Sequence, residues 1–389
     1  MAINNINTKV AVIEPVGGHG GMDYYDYGLC DGVSASGIDV ALYTCDETKV
    51  PTGQSFEVLT VYKKIFGDDS SFIRAVRYFW GTTKTLYSCL RNKRTIVHFH
   101  WFHVGPLELF NIICAKLIRR KIVVTAHDVE AFAEGLSVSL FVRIAYNLCD
   151  SVIAHNEVSR GELIEKISIP SNKINVIPHG NYFDLIQEMP DMDVSRKELG
   201  IPENAKVLLF FGQIKDVKGL DVLLEALKTI ITKHSQVILV IAGKVWKTDF
   251  SKYDELINTY GIRDNCLLDI RYIPDNEISN YYSAANLVVL PYRRIYQSGV
   301  LLMAMSFGRS VVVSDLPGML EVVTDNETGF VFRNGDSDNL SSVINSALEN
   351  PSHIKEISVN AKNLMEKQYD WKKIGRSVVD IYNNLNGPV

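Results

Sequence analysis

Leu208-Leu209-Phe210-Phe211-Gly212-Gln213-Ile214-Lys215-Asp216-Val217-Lys218-Gly219 runs directly into Leu220-Asp221-Val222-Leu223-Leu224-Glu225-Ala226-Leu227-Lys228. The apolar run has strand character and stops at Gly212. A short loop with two lysines follows, and a helix opens near Lys218, because Leu220, Leu223, Leu224, Leu227, Ile230 and Ile231 recur at helical spacing. A strand that turns tightly into a helix start leaves unpaired backbone N–H groups and the positive end of a helix dipole at one point. With Lys215 and Lys218 beside them, the natural occupant is a phosphate or diphosphate. An ordinary βα turn with solvated lysines has the same local pattern, so the remainder of the chain must decide between them.

Outward from this stretch, strand and helix patterns alternate on both sides. In the first half, strands are expected at 9–13, 39–44, 95–100, 122–125, 151–154 and 174–177, with helices over 22–36 (stopped by Gly37), 72–94, 112–121 and 136–148. In the second half, strands are expected at 207–211, 237–242, 266–268, 287–290, 310–313 and 329–332. Such alternation implies parallel sheets covered on both faces by helices. The fold class expected is α/β, with two Rossmann-like, doubly wound domains facing a cleft. The first domain is placed at 1–184 and the second at 197–370. The polar, irregular stretch 185–196 is the linker, and the last helix, 371–389, is expected to pack back on the first domain.

Bulk properties narrow the function. The 389 residues are enough for two ordinary domains, each with its own core. A formal net charge of −5 argues against nucleic acid as a partner. The six cysteines are scattered, with no CxxC pair, as expected of thiols in a reducing compartment. The N-terminus lacks the pattern of a signal peptide and no apolar run is long enough to span a bilayer, so a cytoplasmic location is expected. The stretch 72–94 carries Arg74, Arg77, Lys84, Arg91, Lys93 and Arg94 without an acid, interleaved with aromatic residues, and 112–121 repeats the theme. Such helices either lie on an anionic membrane surface or expose a solvated cationic face.

The first βαβ unit carries Glu14-Pro15-Val16-Gly17-Gly18-His19-Gly20-Gly21-Met22-Asp23 at a strand end, where such units bind ligands. Its spacing is not GxGxxG, which argues against an NAD enzyme. His98, His100 and His103 invite a metal reading, yet no carboxylate or cysteine stands at ligand spacing nearby, so no metal is expected. These histidines are expected instead to border a cleft for a hydroxyl-rich ligand. His127 and Asp128 follow a strand in the same way and are candidates for a catalytic or sugar-contacting role. A serine hydrolase is excluded by the lack of a G-x-S-x-G elbow. Further on, Pro291-Tyr292-Arg293-Arg294-Ile295-Tyr296-Gln297-Ser298-Gly299-Val300 leads from strand to helix and offers amides to an anion. At the next strand-to-helix turn, Glu321 either reaches the cleft or favours a helix N-terminus.

Together these motifs resemble the nucleotide-sugar glycosyltransferases of the GT-B fold, family-four (group 1) type. Gly20, Gly21 and Asp23, with His19 before them, resemble the glycine loop of the acceptor domain. Thr125-Ala126-His127-Asp128 is similar to a strand-end motif whose histidine lies against the transferred sugar. Pro178-His179-Gly180 takes the place of a P-N-G-V turn, with histidine for asparagine. Gly212 to Gly219 resembles the family's diphosphate grip, with Lys218 in place, Gln213 where arginine is usual, and Lys215 supplying charge. The resemblance also implies that the backbone near Ile273 meets the nucleotide base, and that Tyr292, Gln297, Ser298, Gly299, Val300 and Glu321 complete the donor site. Many members carry two glutamates flanking a phenylalanine-glycine turn. Alignment through Phe307-Gly308 puts Ile295 and Met303 there, as in a subset of bacterial polysaccharide-assembly enzymes.

What this implies is a metal-independent hexosyltransferase without a cofactor. The nucleotide-sugar donor is GDP- or UDP-linked, with GDP-mannose favoured, and the acceptor is a saccharide, such as a lipid-linked oligosaccharide, at the inner face of the membrane. His127, Asp128 and Lys218 are its catalytic candidates. His19, Gly20, Gly21, Asp23, His98, His100 and His179 form the expected acceptor cleft, and an inverting member would need a base, for which Asp23, Asp26 and Asp128 qualify. A non-catalytic nucleotide-sugar binder, or a sugar-nucleotide epimerase on the same fold, are the alternatives.

Overall fold

The computed structural model describes residues 8–18, 21–50, 52–127, 140–186, 188–246 and 249–386. Two compact units divide the chain. Unit 1 comprises Met1–Gly180 with Tyr369–Val389, and unit 2 comprises Asn181–Gln368.

Unit 1 is built on a seven-stranded sheet of order β3-β2-β1-β4-β5-β6-β7. Its strands are β1 (Lys9–Glu14), β2 (Asp39–Cys45), β3 (Glu57–Tyr62), β4 (Ile96–Trp101), β5 (Lys121–Ala126), β6 (Ser151–Ala154) and β7 (Ile174–Val176). Every pairing is parallel, with Val10 opposite both Val40 and Ile96. The strands are nearly continuous apolar runs because both faces are covered, by one core around Val97 and Val124 and another around Val12 and Leu29. β3 was not among the expected strands. It is the half-buried edge strand, and its short segment carries a weaker signal than the central runs.

Helix α1 (Met22–Ala35) starts after Gly21 at φ 79° and ends before Gly37, whose φ of 86° is the left-handed conformation expected of a stop signal. The last helix, Trp371–Asn386, belongs to unit 1 and crosses α1 at small residues. A Cβ on Gly32 would stand 2.0 Å from the Trp371 carbonyl oxygen, so the two backbones touch there. Helix α2 spans Ser71–Arg91, capped by Ser70, whose hydroxyl accepts the Ile73 N–H. Arg94, expected on its cationic face, is buried instead. It donates to the Val10 carbonyl at 3.0 Å and pairs with Asp39 at 3.0 Å. The helix expected over 112–121 runs over Pro106–Leu117 as α3, so Arg119, Arg120 and Lys121 lie in the turn and the first residue of β5, not on a helix face. The proline pre-sets the first turn, and the Glu108 carboxylate accepts the Gly105 N–H at 2.8 Å. Helix α4 covers Leu140–Leu148 and α5 covers Glu157–Glu165; the expected residues 136–139 lie outside the described residues.

The stretch read as an irregular linker falls within unit 2. Residues 181–186 already belong to it, and α6 (Met192–Glu198) is a helix held by Arg196, which donates to the Ala284 and Glu203 carbonyls and to Asn286. Its polar composition disguised it, because seven residues give too little apolar periodicity to register. Unit 2 has a six-stranded parallel sheet of order β10-β9-β8-β11-β12-β13. The strands are β8 (Lys206–Phe211), β9 (Val237–Ala242), β10 (Cys266–Asp269), β11 (Leu287–Leu290), β12 (Ser310–Ser314) and β13 (Phe330–Phe332). In both sheets the strand order reverses once, between β1 and β4 and between β8 and β11. Open parallel sheets bind ligands beyond the carboxyl ends of the strands at such a point.

Candidate functional site

At the reversal in unit 2, β8 ends at Gly212, whose φ is 98°. The chain continues through a short 3-10 turn, Asp216–Lys218, to Gly219 and helix α7 (Leu220–Lys233). Gly219 has φ 65°, and a Cβ there would stand 1.9 Å from the Pro291 carbonyl oxygen, so only glycine lets the helix start approach the end of β11. The Arg293 N–H donates to the Val217 carbonyl at 2.8 Å and ties the two loops together. Lys218 is half-buried with its Nζ 3.7 Å above the ring of buried Tyr292, and no carboxylate pairs with it among the described residues. Lys215 lies over Trp246 at 4.9 Å.

The second expected half of this grip lies against the first. A Cβ on Gly212 would meet Val300 Cγ2 at 3.2 Å. Helix Gly299–Ser306 is capped by Ser298, whose Oγ accepts the Leu301 N–H at 3.2 Å, so this hydroxyl serves the helix. Gln297 is half-buried just before it. A Cβ on Gly318 would lie 2.3 Å from the Tyr296 carbonyl oxygen, which seats the turn ending at exposed Glu321 against this loop. Arg293 does not add free charge: its guanidinium is bidentate on Asp221 at 3.0 and 2.6 Å. Buried Ile273 follows β10, two strands away from β8. Ile295 and Met303 are both half-buried.

At the reversal in unit 1 the chemistry differs. His100, His127, His155 and His179 gather around the buried ring of Tyr25, within 5.3 Å of it by ring centroids, and His98 stands behind His100 at 5.0 Å. Burial pushes all five imidazoles toward the neutral form, His100 and His155 down to about 3 and His179 down to about 4. His98 is fully buried, with Nδ1 bonded to the Tyr382 hydroxyl at 2.6 Å and Nε2 to Thr125 at 2.8 Å, which leaves no ring nitrogen for a ligand. It supports the strand ends and does not border a cleft as expected.

The tautomer of His127 follows from its neighbours. His155 Nδ1 faces the Ile177 carbonyl at 3.1 Å, and a carbonyl only accepts, so Nδ1 carries the proton and Nε2 accepts. His155 Nε2 stands 3.2 Å from His127 Nδ1, which therefore donates. His127 Nε2 is left as a lone pair, with no partner among the described residues. His127 also stacks on Phe102 at 17°. His155 was missed in the sequence, although it follows β6 immediately, as His127 follows β5.

His100 Nδ1 bonds to Asp26 Oδ1 at 2.7 Å, and Glu14, at the end of β1, lies beside this pair. Burial raises the pKa values of both carboxyl groups, helped at Glu14 by Asp26 and at Asp26 by Asp23. The reason for discounting a metal, the lack of carboxylates near the histidines, therefore fails in three dimensions. Glu14 and His100 line a cleft of about 390 Å³, with Arg74, Tyr78, His103 and Glu108. Gly21 caps α1 and half-buried Asp23 lies in its first turn. His19, Gly20 and Asp128 lie outside the described residues.

Two family profiles cover most of the chain: "Glycosyltransferase Family 4" matches residues 19–181 and "Glycosyl transferases group 1" matches residues 191–364. The chain belongs to the group 1 glycosyltransferases. An uncharacterised glycosyltransferase from Methanocaldococcus jannaschii is 26% identical over 242 residues, 61% of this chain and 60% of that protein. The lipopolysaccharide 1,2-N-acetylglucosaminetransferase of Salmonella typhimurium is 29% identical over 216 residues, 54% of this chain and 56% of that protein. The chain thus spans at most about 60% of the length of these curated relatives. Anabaena HepE, crystallised in complex with UDP, superposes with a TM-score of 0.76 at 19% identity over 96% of this chain and 99% of that one. This likeness shows the fold: two doubly wound parallel-sheet units of the GT-B glycosyltransferase kind.

Proposed function

We propose that this group 1 glycosyltransferase moves a hexosyl group from a UDP- or GDP-linked donor to a saccharide acceptor in surface polysaccharide assembly. The observation that carries this reading is Lys218, a half-buried cation without a carboxylate partner among the described residues, held over Tyr292 where the Gly212 and Gly299 turns meet. The diphosphate leaving group gathers negative charge as the sugar departs. Lys218, Lys215 and the amides at the start of helix Gly299–Ser306 would meet that charge without a metal ion. Unit 1 would hold the acceptor, with the His127 Nε2 lone pair accepting a hydrogen bond from a sugar hydroxyl. The relatives support the polysaccharide context, one by its name in lipopolysaccharide synthesis, and HepE, also crystallised in complex with UDP-glucose, supports the donor class.

The acceptor is lipid-linked in this reading, and unit 1 would meet it on the inner face of the membrane. α2 turns Phe72, Val76, Phe79, Trp80, Tyr87 and Leu90 outward, with Lys84 and Arg91 among them. Leu117 on α3 and Leu140 on α4 are also exposed. Aromatic side chains flanked by cations suit the interface of an anionic bilayer. Among the described residues no helix is long and apolar enough to cross a membrane. Flotation with vesicles containing anionic lipid should carry the protein upward, and Phe72→Ser with Trp80→Ser should abolish this; no flotation of the wild type contradicts membrane docking.

The transfer reading is tested by incubating the protein with UDP- and GDP-hexoses and a bacterial lipid-linked saccharide extract. Sugar incorporation into the lipid fraction is expected from one of the two donor classes. Nucleotide binding without turnover would make the protein a binder, and conversion of donor alone would make it an epimerase.

A further inference from the structure

Three groups at the strand reversal of unit 1 are not explained by donor chemistry. Glu14 and Asp26 are fully buried, and His100 is nearly so. Each is half satisfied. Glu14 Oε1 accepts the Val16 N–H at 2.7 Å, and Asp26 Oδ1 meets His100 Nδ1 at 2.7 Å. The other atoms, Glu14 Oε2, Asp26 Oδ2 and His100 Nε2, have no hydrogen-bond partner among the described residues. No lysine or arginine pairs with either carboxylate among those residues. Two buried carboxylates without a counter-charge are strongly unfavourable, and the protein interior normally pairs them or gives them to a metal.

The spacing favours a metal. One ligand atom from each of the three residues lies within 4.8 Å of the other two, while no hydrogen bond joins Glu14 to His100. Donors sharing one ion stand at most about 4.2 Å apart, two bonds of about 2.1 Å, so the three side chains need close by no more than about 0.6 Å to hold it. Charge points the same way, because a divalent cation would cancel two carboxylates beside a neutral imidazole. We propose that Glu14, Asp26 and His100 bind one divalent first-row cation, Zn²⁺ or Mn²⁺, at the end of β1 and β4. Imidazole together with carboxylate oxygens is a donor set suited to these ions, whereas Mg²⁺ and Ca²⁺ prefer oxygen alone. Three protein donors leave a coordination position open, and the 390 Å³ cleft bounded by Glu14 and His100 supplies a route to it for water or a ligand oxygen. The ion would sit in unit 1 and is not the diphosphate clamp of unit 2.

The test uses the full chain purified without chelator. Elemental analysis should find close to one equivalent of zinc or manganese. After dialysis against EDTA, adding back Zn²⁺ or Mn²⁺ should raise Tm by about 5 °C or more at a hundredfold excess over Kd, and Mg²⁺ should not. Glu14→Gln and Asp26→Asn are nearly isosteric and relieve buried charge in the metal-free protein, so both should fold and lose the response, whereas His103→Gln on the cleft wall should keep it. Wild-type protein without bound metal and without a Tm response would overturn the proposal and leave the carboxyl groups held by protons. A response of equal size in Glu14→Gln would overturn it as surface binding. Both readouts are independent of sugar transfer, so they separate this proposal from the donor reading.

Discussion

The two strand reversals occupy equivalent places in two sheets of the same handed order, yet they are made of different material. In unit 2 the reversal is built from backbone. Glycines at 212 and 219 let loop and helix starts approach, and half-buried lysines stand over aromatic rings. In unit 1 it is built from side chains, with five histidines and two carboxyl groups packed near Tyr25, of which His127 and His179 are half-buried and the rest buried. A surface of amides and lysine suits a multiply charged ligand that arrives with its own hydration. A largely buried array of neutral imidazoles suits groups whose protons are fixed in advance, as the relay from Ile177 through His155 to His127 shows. One topology thus presents two kinds of chemistry, and the choice is made by a few residues after each strand.

If unit 2 depends on backbone approach, Gly219→Ala should be the most damaging single change. The added methyl would collide with the Pro291 carbonyl in a left-handed backbone conformation, at a cost of about 4 kcal/mol. Urea unfolding of the variant should show the loss in unit 2 while unit 1 is little altered. Equal stability would mean that the helix start moves freely.

Unit 1 should be the acid-sensitive half. Its imidazoles are neutral in the folded state, His155 to about 3 and His179 to about 4, whereas an unfolded histidine takes up its proton near 6.5. Between these values the unfolded chain binds more protons, so stability falls as pH falls below about 6.5, by about 1.4 kcal/mol per histidine per pH unit. The raised carboxyl groups of Glu14 and Asp26 act in the opposite sense but are fewer. His155→Gln should flatten the decline between pH 6.5 and 4.5 by about one histidine's share; an unchanged slope would show that His155 titrates normally in the fold.

Smaller effects sharpen the contrast further. Tyr382→Phe strands His98 Nδ1 in the core and should cost about 2 kcal/mol in chemical denaturation. Arg293→Ala removes a largely exposed pair with Asp221 and a hydrogen bond to the Asp216 carbonyl, and should cost less than about 1 kcal/mol. Reversal of that order would mean that the surface of unit 2 matters more than the interior of unit 1.

Most of the fold is legible in the sequence because buried parallel strands are written as apolar runs, as in Val10 to Ile13 or Val237 to Ala242, and their ends are marked by glycine. What escaped were elements without such a run: the half-buried edge strand Glu57–Tyr62 and the polar helix Met192–Glu198. The proposed donor side is local in sequence, so Gly212, Lys218 and Gly299, which the fold brings to one strand reversal, are readable as a set. The unit 1 cluster is not local. Glu14, Asp26 and His100 come from β1, α1 and β4, and only the fold brings them close to ligand distance. His98 and His100 share a strand face as alternation requires, but the same alternation says nothing about Tyr382, nearly three hundred residues later, which takes up the first of them.

The most direct test of the donor site is calorimetric titration of UDP and of GDP into the wild-type chain and into Lys218→Ala. Saturable binding of one nucleotide to the wild type, weakened about a hundredfold in the variant by loss of the charge over Tyr292, is the predicted result. Equal affinity in the two proteins would place the diphosphate elsewhere and contradict the assignment of the Gly212–Gly219 turn.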